Sequence, residues 1–122
     1  MGGVFMKENE IVVRSFEYAR MVIQCCRMLR QNREYDLASQ LLRSGTSIGA
    51  NVQEAQAALT KKEFVSKMSI AAKEARESGY WIRLLSSEGL LDNAPARDKL
   101  HSEIIALQKI LTSIIKTAQE KG

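Results

Sequence analysis

The stretch Ser44-Gly45-Thr46-Ser47-Ile48-Gly49-Ala50-Asn51-Val52-Gln53-Glu54-Ala55 decides how this chain is read. It lies inside a helical pattern yet is built almost wholly from small residues. A Gly within a helix costs about 1 kcal/mol relative to Ala, so Gly45 and Gly49 need compensation. Close packing against the helix, on more than one side, would supply it. With Leu37, Leu41, Ile48, Val52, Ala55 and Leu59 turned inward, Thr46, Ala50, Gln53 and Ala57 fall on roughly the opposite face by the 100° rule. A solvated face would carry Lys and Glu; this one is almost uncharged. The expectation is a helix over 36–59, N-capped by Asp36, whose outer face is a subunit interface.

The flanking segments are helical as well. Over 10–31, Val12, Phe16, Ala19, Ile23 and Cys26 recur at spacings of four and three, with Asn32 as a stop. Thr60-Lys61-Lys62-Glu63 is a capping-box pattern ahead of Phe64, Met68, Ala71, Ala75, Ser78, Ile82 and Leu85. That helix spans 61–88, with Gly89 as its C-cap. Over 94–120, opened by Pro95 in the first turn, Leu100, Ile104, Leu107, Leu111, Ile114 and Ala118 form a further stripe. No strand alternation competes. Short connections make consecutive helices antiparallel, so the expected fold is all-α, an up-down-up-down four-helix bundle in one domain.

Size and composition agree. A chain of 122 residues holds one core. Seven aromatic residues (three Phe, three Tyr, one Trp) leave that core mostly aliphatic. A net charge of +4 is mildly basic and compatible with an anionic partner. No apolar run is long enough to cross a membrane, and Met1 to Lys7 lacks the pattern of a secretory signal, so the expected location is cytoplasmic. Cys25 and Cys26 are adjacent on a helix and diverge by about 100°, which disfavours a disulfide between them. They are expected to be reduced residues at the core edge. With one histidine, His101, and no further cysteine, no metal site is expected, and no cofactor. Gly45-x-x-x-Gly49 sits in too short an apolar span for a membrane helix pair and lacks the Gly-Lys-Ser/Thr ending of a phosphate loop.

Four runs carry a family resemblance: Leu41 to Ala55, Lys62-Glu63-Phe64, Ile70-Ala71-Ala72-Lys73-Glu74-Ala75, and Tyr80-Trp81-Ile82-Arg83-Leu84-Leu85. Over roughly Phe16 to Ile115 the chain resembles bacterial four-helix-bundle proteins, some of them encoded by intervening sequences inserted in 23S rRNA genes. A relative in that superfamily is the accessory variability determinant protein of diversity-generating retroelements. The resemblance implies an antiparallel four-helix protomer assembled as a ring-like homopentamer. For the retroelement relative it also implies binding of nucleic acid and of a reverse transcriptase. It carries no catalytic residues.

Candidate sites follow from faces rather than from reactive clusters. On the third helix Lys62, Lys73, Arg76 and Arg83 lie within about 80° of one another, with Tyr80 among them. On the first, Arg20, Arg27 and Arg30 cluster similarly. Such stripes can neutralise phosphates while Tyr80 stacks on a base; equally, with Glu63, Glu74 and Glu77 nearby, they read as solvated helix faces. The expected oligomer interface is Thr46, Ala50, Gln53, Glu54, Ala57 and Trp81, with Trp81 either there or semi-buried. Asn51 and Glu74 are candidate structural polar residues, Asn51 satisfying a neighbouring helix or fixing register. His101 reads as an ordinary surface residue. No acid–base or nucleophile constellation is visible, so the chain is expected to be no enzyme. It is read as a homo-oligomer binding RNA or DNA, or alternatively as a scaffold for another protein such as a reverse transcriptase.

Overall fold

Thr60 and Gly89 bracket the third helix through backbone groups that helices leave without partners. The Thr60 hydroxyl accepts from the Glu63 N–H at 3.1 Å, and the Glu63 carboxylate accepts from the Leu59 N–H at 3.1 Å. At the other end Gly89 takes φ +73°. The Leu90 N–H then reaches the Leu85 carbonyl at 2.9 Å, and the Gly89 N–H reaches that of Ser86 at 3.0 Å, closing a Schellman turn. The computed structural model describes residues 2–121, with side chains from Asn9 onward; Met1 to Lys7, read above for a signal, lie outside the described side chains. Four helices result: α1 (Gly2–Gln31), α2 (Tyr35–Gln56), α3 (Lys61–Ser87) and α4 (Arg97–Glu120). No strand occurs among the described residues.

Helix α1 packs on α2 and α4, and α3 packs on the same two, so α1 and α3 face each other across a four-helix bundle. The core is aliphatic: Leu41, Ile48, Met68, Ile82, Leu85, Leu100, Leu107 and Leu111 are fully buried. Each such side chain is worth about 1.5–3 kcal/mol of burial. One aromatic joins them. Tyr18 is fully buried, and its hydroxyl meets that of Ser78 at 2.7 Å, tying α1 to α3 through the centre. Burial pushes the Tyr18 phenol well above its ordinary ionisation range.

Several sequence expectations need correction. The inward stripe of α1 is Ile11, Ser15, Tyr18, Val22, Cys25, Cys26 and Leu29, while Phe16 is 64 % exposed and Ile23 is also exposed. The helix is therefore turned by about one position, roughly 100°. It begins at Gly2 rather than residue 10. In α2 the N-cap is Glu34, not Asp36, and no side chain caps the turn. The helix stops at Gln56, and Leu59 is 92 % exposed in the connection instead of inside. Pro95 lies ahead of α4, whose entry is made by Ala96 at φ 57°. The stripes of α3 and of α4 from Leu100 to Ile114 stand as read, with Phe64 and Ala118 only partly buried.

The glycines also divide. A Cβ on Gly45 would lie 2.8 Å from Val22 Cγ2, so α1 crosses α2 at van der Waals closeness there. A Cβ on Gly49 would meet nothing nearer than the Ser15 carbonyl oxygen at 3.4 Å. Both close approaches come from α1 of the same chain, so the glycines themselves require no second subunit.

Two predictions follow from these contacts. Gly45→Ala should lower stability by about 1–3 kcal/mol through overpacking, and the same change in a Val22→Ala background should cost less, because only Val22 Cβ, 3.2 Å away, would remain in its path. Gly49→Ala should be neutral or gain up to about 1 kcal/mol of helix propensity. Urea melts followed by circular dichroism measure both; equal penalties at the two sites would contradict the geometry. The second concerns the cysteines, which lie in the core rather than at its edge. Burial raises the Cys25 thiol to about 12 and the Cys26 thiol to about 11, so neither ionises at neutral pH. A thiol reagent at pH 8 should find both unreactive until denaturant is added. The cysteines' contribution to stability should be constant below about pH 9 and fall as pH climbs from there towards the raised values, since of the two states only the unfolded one ionises its thiols in that window.

Candidate nucleic-acid interface

The basic residues of α3 acquire their setting from where its carboxylates point. Glu74 and Glu77 face α2 and share Arg43, at 3.0 Å for Glu74 and in close contact for Glu77. On α4, Glu103 turns to α1 and takes the Arg14 Nε–H at 2.6 Å, a bond that raises the Arg14 pKa. What remains between α3 and α4 is cationic. One hollow of about 410 Å³ is lined by Arg76, Gly79, Ile82, Arg83, His101, Ile104, Ile105 and Gln108. A second, of about 290 Å³, continues along the same pair of helices between Lys73, Arg76 and Ser69 on one side and Thr112, Lys116 and Gln119 on the other. A further hollow, on α4 alone, is lined by Gln108, Lys109, Thr112, Ser113 and Lys116. None of the residues lining these hollows is acidic.

The sequence-predicted basic set is thereby split. Lys73, Arg76 and Arg83 enter the α3/α4 groove. Lys62 is exposed in the first turn of α3, roughly 16 Å from Lys73 along the helix, and lines none of these hollows. Arg20, Arg27 and Arg30 are exposed on α1, diagonally across the bundle, and Arg20 sits 3.4 Å from Glu17. The two stripes do not form one surface. Tyr80 is exposed, but its ring stands edge-on to Trp81 at 5.1 Å, on the α2 side of the stripe. Sequence reading missed Lys109 and Lys116, seven residues apart on one face of α4; the 100° rule applied to that helix would have found them. His101 is no ordinary surface residue: it is partly buried, and its Nε2 lies 2.7 Å from the Ser86 hydroxyl, joining the start of α4 to the end of α3.

The opposite edge of the bundle is mostly apolar. Between α1 and α2 lies a hollow of about 480 Å³ bordered by Val12, Val13, Ser15, Phe16, Glu17, Ala19, Thr46, Gly49, Ala50 and Gln53. Three of the predicted interface residues, Thr46, Ala50 and Gln53, therefore share a face with the exposed Phe16. Ala57 is exposed just past the end of α2. Glu54 and Trp81 belong elsewhere, on the α2/α3 side: Glu54 pairs with Lys67 at 2.8 Å, raising the Lys67 pKa, and the Trp81 indole N–H donates to Glu77 at 3.0 Å. Asn51 neither crosses to another helix nor sets register; its amide donates to the Ser47 carbonyl one turn back at 2.9 Å. Glu74 accepts from Arg43 at 3.0 Å, linking α3 to α2. Among the described residues no cluster of His, Cys, Asp and Glu could hold a metal ion, and no helix is long and apolar enough to cross a membrane.

Known proteins resemble this arrangement. No curated protein matches the chain. A crystal structure of a protein of unknown function from the S23 ribosomal protein family, from Bacteroides thetaiotaomicron, is 34 % identical. It superimposes with a TM-score of 0.83, over 90 % of this chain and 98 % of that one. Residues 7–113, which include all of α2 and α3 and both grooves as far as Ser113, match the 23S rRNA-intervening sequence proteins, and the chain belongs to that family.

Proposed function

We propose that this chain is a non-enzymatic homo-oligomer that binds RNA or DNA through the phosphate backbone, with the α3/α4 groove as its contact surface. The carrying observation is the segregation of charge: Lys73, Arg76, Arg83 and Lys116 line the groove, while Glu74, Glu77 and Glu103 are engaged by arginines on other faces. Cations lined up without intervening carboxylates suit the closely spaced charges of a nucleic-acid backbone. Filter binding to a structured RNA at low and moderate salt is the test. Affinity should fall steeply with salt, and Arg76→Gln with Arg83→Gln should reduce the log–log slope by about 0.7 to 0.9 per arginine. Absence of binding by micromolar wild-type protein at low salt would sink the reading.

The protomer is read as an antiparallel up-down-up-down bundle. Pairings that descend α1 while ascending α2 support it: Cys26 with Ala38, Val22 with Gly45, Ser15 with Gly49. The opposed order recurs between α2 and α3, in Arg43 with Glu77 and Glu54 with Lys67, and between α3 and α4, in Ala75 with Gln108 and Ser86 with His101. Assembly is supported by the apolar α1/α2 face rather than by the glycines: Phe16 and Val13 stand exposed beside Ala50 and Thr46. A heterologous contact there closes into a ring if its rotation permits, and five copies is the number the family resemblance implies. Buried, unionised thiols at Cys25 and Cys26 suit a reducing compartment such as the cytoplasm. The alternative partner, another protein such as a reverse transcriptase, would survive nuclease treatment in co-purification, whereas bound nucleic acid would not. For the assembly, Phe16→Glu and Ala50→Glu should each dissociate the oligomer without loss of helical content, since both side chains are exposed in the protomer. Light scattering after size-exclusion chromatography reads the mass; a monomeric wild type, or variants of unchanged mass, would refute this interface.

A further inference from the structure

The α3/α4 groove is not a uniformly charged strip. Its larger hollow is bordered by Ile105, 51 % exposed, with Arg76 and Arg83 at its rim and Ile82 and Ile104 buried beneath. Gly79 makes room for Gln108: a Cβ there would come within 2.7 Å of Gln108 Nε2, which is itself held on the Ala75 carbonyl at 3.1 Å. At about 410 Å³ the hollow falls in the size range of small-molecule sites. Backbone phosphates need no exposed isoleucine between arginines, and a regular duplex has nothing to place on one, because its bases are stacked inside and its outer ridges are charged. An unpaired base, by contrast, offers two bare apolar faces with phosphates a few ångströms away.

We propose that this hollow seats an unpaired base of a single-stranded segment against Ile105, with Arg76 and Arg83 on its flanking phosphates. The strand then continues along the groove over Lys73 and Lys116. This rests on the nucleic-acid reading above and narrows it from any backbone to single strands. Lys73 and Arg83 lie ten residues apart, about 15 Å along α3, so the strand is engaged along the groove as well as at the hollow. Ile105 is the informative side chain: it is half exposed, so shortening it leaves the buried core in place, and it carries no charge, so shortening it leaves the phosphate attraction unchanged.

The test is fluorescence anisotropy at one fixed salt concentration, with a labelled unstructured RNA ten-mer and the same strand annealed to its complement. Wild-type protein should bind the single strand about tenfold or more tightly than the duplex. Ile105→Ala should weaken the single strand about five- to tenfold and leave the duplex unchanged, whereas Arg76→Gln with Arg83→Gln should weaken both. Equal affinity for the two forms, a preference for duplex, or an Ile105→Ala loss shared by both would overturn the proposal while leaving general backbone binding intact. Displacement of the strand by millimolar adenosine monophosphate as complete as by unlabelled RNA would overturn it in favour of a free nucleotide. Failure of the wild type to bind either form would remove the nucleic-acid reading itself, and this proposal with it.

Discussion

The bond between the Tyr18 and Ser78 hydroxyls, 2.7 Å across the middle of the bundle, is the constraint on which the surface depends. A buried hydroxyl left without a partner costs about 1–3 kcal/mol, and two are at stake. Satisfying both requires Tyr18 to point straight at α3, which sets the rotation of α1 about its own axis. Once that rotation is set, Val22 faces Gly45 and Cys25 and Leu29 enter the core. The same rotation carries Val13, Phe16 and Ile23 to the outside. The apolar outer face of α1 is thus a consequence of a polar contact at the centre. Gly45 is the complementary allowance on α2, because any side chain there would push α1 away and lengthen the central bond.

Charge is distributed by the same economy of faces. Arg43 and Arg14 each hold carboxylates from a neighbouring helix, and in doing so they fix which sides of α3 and α4 are acidic. These pairs are partly exposed, so their direct contribution to stability is small. Their effect on the field is larger than their effect on the fold. By keeping Glu74, Glu77 and Glu103 turned to other faces they leave no acidic side chain lining the groove beside Lys73, Arg76, Arg83 and Lys116.

The sequence was most legible where one helix face is apolar and the others are not. In α3 and α4, Ala71, Ala75, Ile82 and Leu85, and Leu100, Ile104, Leu107 and Leu111, have no competing stripe, and their burial follows directly from spacing. Helix α1 carries two stripes of equal regularity, one position apart. Val12, Phe16, Ala19 and Ile23 are the more hydrophobic, while Ile11, Ser15, Tyr18 and Val22 include two hydroxyls. Hydrophobicity alone favours the wrong one, because nothing local reveals that Tyr18 has a partner sixty residues away. The candidate sites were half legible for the same reason. The α3 stripe and the Thr46–Ala50 face could be read from single helices. That Lys116 completes the basic groove and Phe16 the apolar one depends on which helices are neighbours. Glu54, Trp81 and Asn51 each have a partner within their own chain, a pairing that face assignment alone does not reveal.

The two grooves lie on opposite edges of the bundle, since α1 and α2 form one and α3 and α4 the other. An assembly built on the apolar edge would therefore leave the cationic edge uncovered in every copy. That geometry bears on how a chain of net charge +4 can hold an anionic polymer at all. One groove offers about four cations, a modest attraction at physiological ionic strength, where exposed charges are screened beyond about 8 Å. Several grooves held at fixed spacing turn later contacts with the same strand into intramolecular events, and the gain is multiplicative if the strand can span them. The apolar face would then serve binding without touching the ligand, and a protomer released from the assembly would keep its groove yet lose most of its affinity. The polar contact between Tyr18 and Ser78 stands behind both effects, because it is what turns Phe16 outward.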